Sequence, residues 1–121
     1  MKSKLFAFFL ILFISIEFKA QTNNYNGELD EKKIKGTLTF KKDDTVTGSY
    51  YYVTSPDRVY KISGTNFVNG EIEVNVYFAG KIVSSGSLSK TLTDSYVIWE
   101  GALWLDDSNR ESRYFIFRRP R

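Results

Sequence analysis

The sequence predicts an all-β fold, an eight-stranded antiparallel up-and-down (meander) barrel, with a β-sandwich of the same strands as the alternative. Three observations carry this. From Tyr25 onward apolar residues recur at every second position, with no stretch of helical period. Eight such segments are divided by short gaps, and short gaps join antiparallel neighbours but not parallel ones. In six of the eight, a glycine stands on the apolar face. An inward glycine lets a strand coil sharply and leaves room for a bulky residue across the sheet. Eight coiled strands that close on themselves make a barrel whose inside is filled by side chains or holds one small ligand, and closure removes the exposed edges of a meander.

The segments follow in order. Tyr25–Leu29 places Tyr25, Gly27 and Leu29 on one face, and Lys33–Lys41 places Ile34, Gly36, Leu38 and Phe40. Thr45–Thr54 gives Val46, Gly48, Tyr50 and Tyr52; Val59–Phe67 gives Tyr60, Ile62 and Gly64. Glu71–Phe78 lacks a glycine and lines up Ile72, Val74, Val76 and Phe78. Lys81–Ser89 follows with Ile82, Ser84, Gly86 and Leu88, and Ser95–Leu105 with Val97, Trp99, Gly101 and Leu103. Ser112–Arg118 ends the series with Phe115 and Phe117. Asn69-Gly70 and Ala79-Gly80 suit tight hairpin turns, which need positive φ. Pro56 falls in a gap, where it removes no ladder hydrogen bond.

Residues 1–20 read as a secretory leader: Lys2 and Lys4, then the apolar run Leu5–Ile14, then a polar stretch from Gln21. The run is short of the ~20 residues that span a bilayer, and the expected cut follows Ala20. Residues 21–121 then form a single domain. Without the leader the net charge falls from +3 to +1, with 14 basic against 13 acidic residues. The mature surface is mixed in charge and carries no basic footprint for nucleic acid. The terminal "RRPR" is expected to be a solvated, frayed end. With no cysteine there is no disulfide framework, so the core alone must hold the chain; export without disulfides fits a bacterial envelope better than a small disulfide-stapled animal domain, and a periplasmic or extracellular location is expected.

The chain has no His and no Cys. This removes the commonest general base, the thiol nucleophile, any Ser-His-Asp triad and most transition-metal sites. Glu71 and Glu73 share the outward face of one strand, whereas a glycosidase pair must converge across a cleft. Asp106-Asp107-Ser108-Asn109 supplies oxygens but lacks the spacing of a calcium loop. No glycine loop precedes a helix to cradle phosphate. The expectation is a non-enzymatic protein with no cofactor and no metal.

Two sets of aromatic residues remain as candidates. Tyr50, Tyr52, Tyr60 and Trp99 point inward and are expected to line one end of the barrel, as a pocket for a small apolar ligand. The alternative for the same four is packed core with hydroxyls near the rim. On the outside, the last two segments break the polar rule with Tyr96, Ile98 and Trp104, then Tyr114 and Ile116; Tyr51 and Tyr77 also point outward. Strands apolar on both faces are usually covered on both, so this strip is expected to meet a protein partner or a second copy of the chain. A loop lying over it, or a register slip of one residue, is the competing explanation.

The series "VTGSYYY … YKISG … GSL … WEGALW" resembles small exported β-barrel proteins of unassigned function in Bacteroidota-type genomes, whose hairpins repeat Val-x-Gly-x-Tyr-x-Tyr. The likeness spans Tyr25 to Phe117. More distantly, "TVTGSY" and "WEG" resemble strand motifs of the avidin family, which implies an avidin- or lipocalin-like meander barrel with a ligand mouth near Tyr50 and Trp99. The Gly-x-Trp opening of that family is replaced by "YNGEL", and no binding residue is carried over. The expected function is an exported binding or interaction barrel, an inhibitor or envelope component; the alternative is a carrier of a small apolar ligand.

Overall fold

The computed structural model describes residues 20–106 and 111–121; the predicted leader lies outside them apart from Ala20. Eight strands follow one another: β1 (Gln21–Leu29), β2 (Lys32–Phe40), β3 (Thr45–Tyr52), β4 (Ser55–Phe67), β5 (Glu71–Phe78), β6 (Lys81–Leu92), β7 (Tyr96–Leu105) and β8 (Ser112–Pro120). Each pairs antiparallel with the next, and β8 returns to β1, so the sheet is a closed up-and-down barrel. The sandwich alternative is thereby excluded. One end of the barrel, termed the open end below, gathers the start of β1, the end of β8 and the turns after β2, β4 and β6. The turns after β1, β3 and β5, the end of β7 and the start of β8 lie at the opposite end.

The glycines explain the closure. Gly27, Gly36, Gly48, Gly64, Gly86 and Gly101 share a face with the buried residues beside them. A Cβ at any of them would lie 1.7–2.2 Å from a backbone carbonyl oxygen of an adjoining strand, far inside contact distance. These close approaches fall on every second ladder: β8–β1, β2–β3, β4–β5 and β6–β7. Two of those ladders have them reciprocally, Gly36 opposite Tyr50 with Gly48 opposite Leu38, and Gly86 opposite Leu103 with Gly101 opposite Leu88. The sheet thus turns at four corners, each made where a missing side chain lets two backbones close in.

Side chains fill the middle. Ile34, Leu38, Val46, Ile72, Val76, Leu88, Leu103, Phe115 and Phe117 are all fully buried. An aromatic column runs through them: Phe78 meets Tyr60 (ring centroids 4.9 Å apart), Tyr60 stacks on Tyr50 (5.0 Å), and Tyr50 meets Phe115 edge-on (5.7 Å). It continues through Phe117 (4.6 Å from Phe115) to Tyr25 (5.1 Å). Such offset and edge-on pairs add about 0.5–1.5 kcal/mol each beyond the area they bury.

Several sequence expectations are corrected at strand ends. β1 starts at Gln21 rather than Tyr25 because β2 offers its whole length as a partner, from Gln21 opposite Phe40 to Leu29 opposite Lys32. β6 runs three residues beyond Ser89, and β8 two beyond Arg118. The C-terminal arginines are therefore not frayed: Arg118 and Arg119 lie in the β8 ladder, and the Arg121 amide donates to the Ser95 carbonyl at 2.9 Å. Pro56 is within β4, in the stretch where its register with β3 shifts between Tyr50 and Tyr52, so its missing N–H breaks no ladder. Ile82, expected inside, is exposed. A bulge skips Val83 between the pairs Val76–Ser84 and Tyr77–Ile82, and Val83 packs against the core instead.

Candidate functional site

The four aromatics expected to share one end do not. β3 runs away from the open end and β4 back toward it, so Tyr50 and Tyr52 come late in β3 and Tyr60 early in β4, toward the far end. Tyr52 meets Tyr60 edge-on at 5.9 Å, and Arg58 lies over Phe78 at 4.9 Å beside them. Burial, then the neighbouring Tyr52 and Tyr60, pushes the Tyr50 hydroxyl well above the ordinary tyrosine range. Burial and Tyr60 also raise Tyr52. Trp99 is three residues after β7 leaves the open end, and there it stacks on Phe40 with centroids 5.5 Å apart.

Around that second aromatic pair the barrel opens. A cavity of about 340 Å³ is lined by Gln21, Asn23, Tyr25, Phe40, Asn66, Phe67, Val68, Gly70, Lys90, Val97, Trp99 and Arg119. The closing β1–β8 ladder contributes to this opening: it covers only Asn26–Leu29 against Phe115–Arg118, leaving Gln21–Tyr25 unpaired with β8. Lys90 is the cross-strand neighbour of Trp99 on β6, and Arg119 is that of Val97 on β8, so both cations flank β7 on its inner face. The Lys90 ammonium is 6.0 Å from the Trp99 ring centroid, the outer limit of a cation–π contact. Arg119 donates from Nη1 to the Pro120 carbonyl at 3.4 Å, while its Nε is buried without a hydrogen-bond partner. Among the described residues neither cation has a carboxylate partner, and the cavity wall contains no acid.

Sequence reasoning placed Phe40 and Trp99 inside but missed Lys90, Arg119, Asn23 and Asn66. The signal was parity. Lys90 continues the inward series Gly86, Leu88, and Arg119 continues Phe115, Phe117. Both lay just beyond the ends assigned to their strands.

The outer strip is brought together in part. Tyr96, Ile98 and Trp104 on β7 lie beside Tyr114 and Ile116 on β8, with Ala102 opposite Tyr114. Tyr114, Trp104 and Tyr96 are 53%, 52% and 44% exposed, but Ile116 only 9%. Ile116 sits between Glu100 on β7 and Glu28 on β1. Tyr114 donates its hydroxyl to Glu100, which raises the Tyr114 pKa, and Arg118 pairs with Glu28 at 2.6 Å. Two polar bridges thus frame the isoleucine. Tyr51 and Tyr77 do not join the strip: they stand on β3 and β5, on other parts of the wall. A broader hollow of about 430 Å³ lies outside β4–β7, among Thr65, Glu73, Asn75, Ser85, Ser87 and Trp104. Its wall of hydroxyls and one acid lacks the paired rings and cations of the open end.

No family model matches the chain, and no curated protein or solved structure matches it. Among the described residues no helix is long and apolar enough to cross a membrane, and no group of three metal-ligating side chains gathers. Fold and site together define a closed eight-stranded meander barrel with a packed middle and one amphipathic mouth.

Proposed function

We propose that the protein is an exported, non-enzymatic binding barrel that takes a small molecule at its open end. The observation that carries this is the 340 Å³ cavity floored by the stacked Phe40–Trp99 pair and walled by polar side chains. Its size lies within the range of small-molecule sites, which combine an apolar surface with a few orienting polar groups. The ligand seats against the mouth, because rings from Phe78 to Tyr25 occupy the middle of the barrel. Export rests on the basic-then-apolar order of residues 2–14.

The test uses fluorescence. The chain has two tryptophans, so in a Trp104→Phe background Trp99 alone reports on the mouth. Titration with 8-anilinonaphthalene-1-sulfonate is expected to quench Trp99 saturably, and Phe40→Ala to weaken binding. Linear, unsaturable quenching, or no effect of Phe40→Ala, overturns the reading.

A second reading, a protein contact through the outer face of β7 and β8, is supported by the exposed rings of Tyr96, Trp104 and Tyr114. A second copy of the chain or another protein would cover them. A monomeric mass at all concentrations, with no partner retained through this face, counts against it.

A further inference from the structure

Resting on the proposal that the open end binds a small molecule, we infer that its ligand is an organic anion: a carboxylate, sulfonate or phosphate ester carrying an apolar, preferably flat, body. Lys90 and Arg119 both line one cavity, from opposite sides of β7, and among the described residues neither is matched by an acid. Lys90 stands exposed at the mouth and Arg119 half-buried beside it, and an anion seated between them is attracted by both. The Arg119 side chain lines the cavity with no carboxylate partner among the described residues, and its one side-chain hydrogen bond runs from Nη1 to the neighbouring Pro120 carbonyl at 3.4 Å, which leaves other guanidinium donors for an anion. Charge-assisted bonds from such donors are shorter and stronger than neutral ones.

The rest of the wall defines the other half of the ligand. Beside the cations stand Phe40 and, on the β4–β5 hairpin, Phe67 and Val68, both exposed at the rim. Exposed apolar residues next to a ring-floored cavity suit the apolar part of an amphiphile, whose charged group points inward between Lys90 and Arg119. Asn23 and Asn66 add amide donors on the remaining sides. Bare phosphate or sulfate would leave Phe40, Phe67 and Val68 uncovered, so the body of the ligand contributes as well as its charge.

The experiment compares two probes that share one ring system, 8-anilinonaphthalene-1-sulfonate and the uncharged N-phenyl-1-naphthylamine, by Trp99 quenching in the Trp104→Phe background. The sulfonate is expected to bind about tenfold tighter or more, on the scale of one charge-assisted hydrogen bond. Lys90→Gln and Arg119→Gln are each expected to weaken the sulfonate about tenfold and the amine less than twofold, with thermal midpoints confirming that both variants fold. Millimolar inorganic phosphate alone is expected not to quench or compete. Equal affinity for the two probes, with Phe40→Ala weakening both, overturns the anion preference while leaving the mouth as a binding site. Competition by phosphate at the affinity of the sulfonate overturns the need for an apolar body. Failure of both probes to quench Trp99 overturns both this inference and the function it rests on.

Discussion

Replacing Gly101 with alanine tests the corner mechanism through the sign of its effect. Gly101 is in the middle of β7, and its φ is not in the left-handed region, so the backbone itself accepts alanine. At an ordinary strand position, Gly→Ala stabilises by about 0.5–1 kcal/mol, since glycine loses more freedom on folding. Here the new Cβ would lie 2.0 Å from the Ser87 carbonyl oxygen and 3.2 Å from the Leu88 Cα. No rotamer relieves a contact between Cβ and backbone, so β6 and β7 must move apart by roughly 1 Å, and overpacking of this kind costs typically ~1–3 kcal/mol. Because both partners are hydrogen-bonded backbone, the upper end applies, and the net loss is about 2 kcal/mol after the alanine gain. In a domain of this size that lowers the thermal midpoint by roughly 10 °C. Urea unfolding and a thermal scan read it directly. An unchanged or raised midpoint would refute the claim that these glycines are needed for close approach.

Three further outcomes are expected. Tyr50→Phe should flatten the alkaline limb of stability. The folded-state pKa of Tyr50 is raised by burial, so its contribution is fully present below pH ~10 and is lost as pH rises above that value toward the folded pKa; thermal midpoints between pH 8 and 11.5 check it, and parallel curves for the two proteins would contradict it. Glu28→Gln should cost less than about 1 kcal/mol, and less again at 1 M salt, because the Glu28–Arg118 pair is more than a third exposed on both sides. Glu31→Gly should stabilise by up to about 1 kcal/mol, since the two-residue β1–β2 turn holds Asp30 at φ 54° and Glu31 at φ 73°, where an L side chain is strained; keeping Asp30 preserves its pair with Arg113 at 3.3 Å.

The barrel was legible because its determinants are periodic and local. Parity puts Gly86 and Leu88 on one face of β6 and Gly101 and Leu103 on the same face of β7, while the register that sets Gly101 opposite Leu88 comes only with the paired strands. Legibility failed where a single residue broke the period. The bulge at Val83 turned Ile82 outward, and nothing in "KIVSSG" distinguishes the two β-branched neighbours. It failed again where facing was read without strand direction. Tyr50 and Trp99 both point inward, but counting from the nearest turn separates them: Tyr50 is close to the β3–β4 turn and Trp99 close to the β6–β7 turn, at opposite ends. The candidate site was missed because Lys90 and Arg119 lie at strand ends, just past the assigned segments, where ladder pairing puts an exposed Lys90 and a half-buried Arg119 on the inner-face parity of the open end. On the outer strip Tyr96, Trp104 and Tyr114 are exposed while Ile116 is buried, because the Glu100–Tyr114 and Glu28–Arg118 bridges that frame it depend on three strands meeting, which no single segment reveals.

The short closing ladder has a kinetic consequence. Seven of the eight ladders join strands consecutive in the chain, whereas the eighth brings together groups 90 positions apart. Tying a loop of that length costs about 2 kcal/mol more in chain entropy than tying one of ten residues. The hairpins can zip in any order, but Glu28 and Arg118 meet only once the ribbon has curled almost fully, so sealing the cylinder is the late, non-local event of folding. Until then Gly27, with its Cβ-free approach to the Ile116 carbonyl, has nothing to approach, and lesions there should speed unfolding more than they slow refolding.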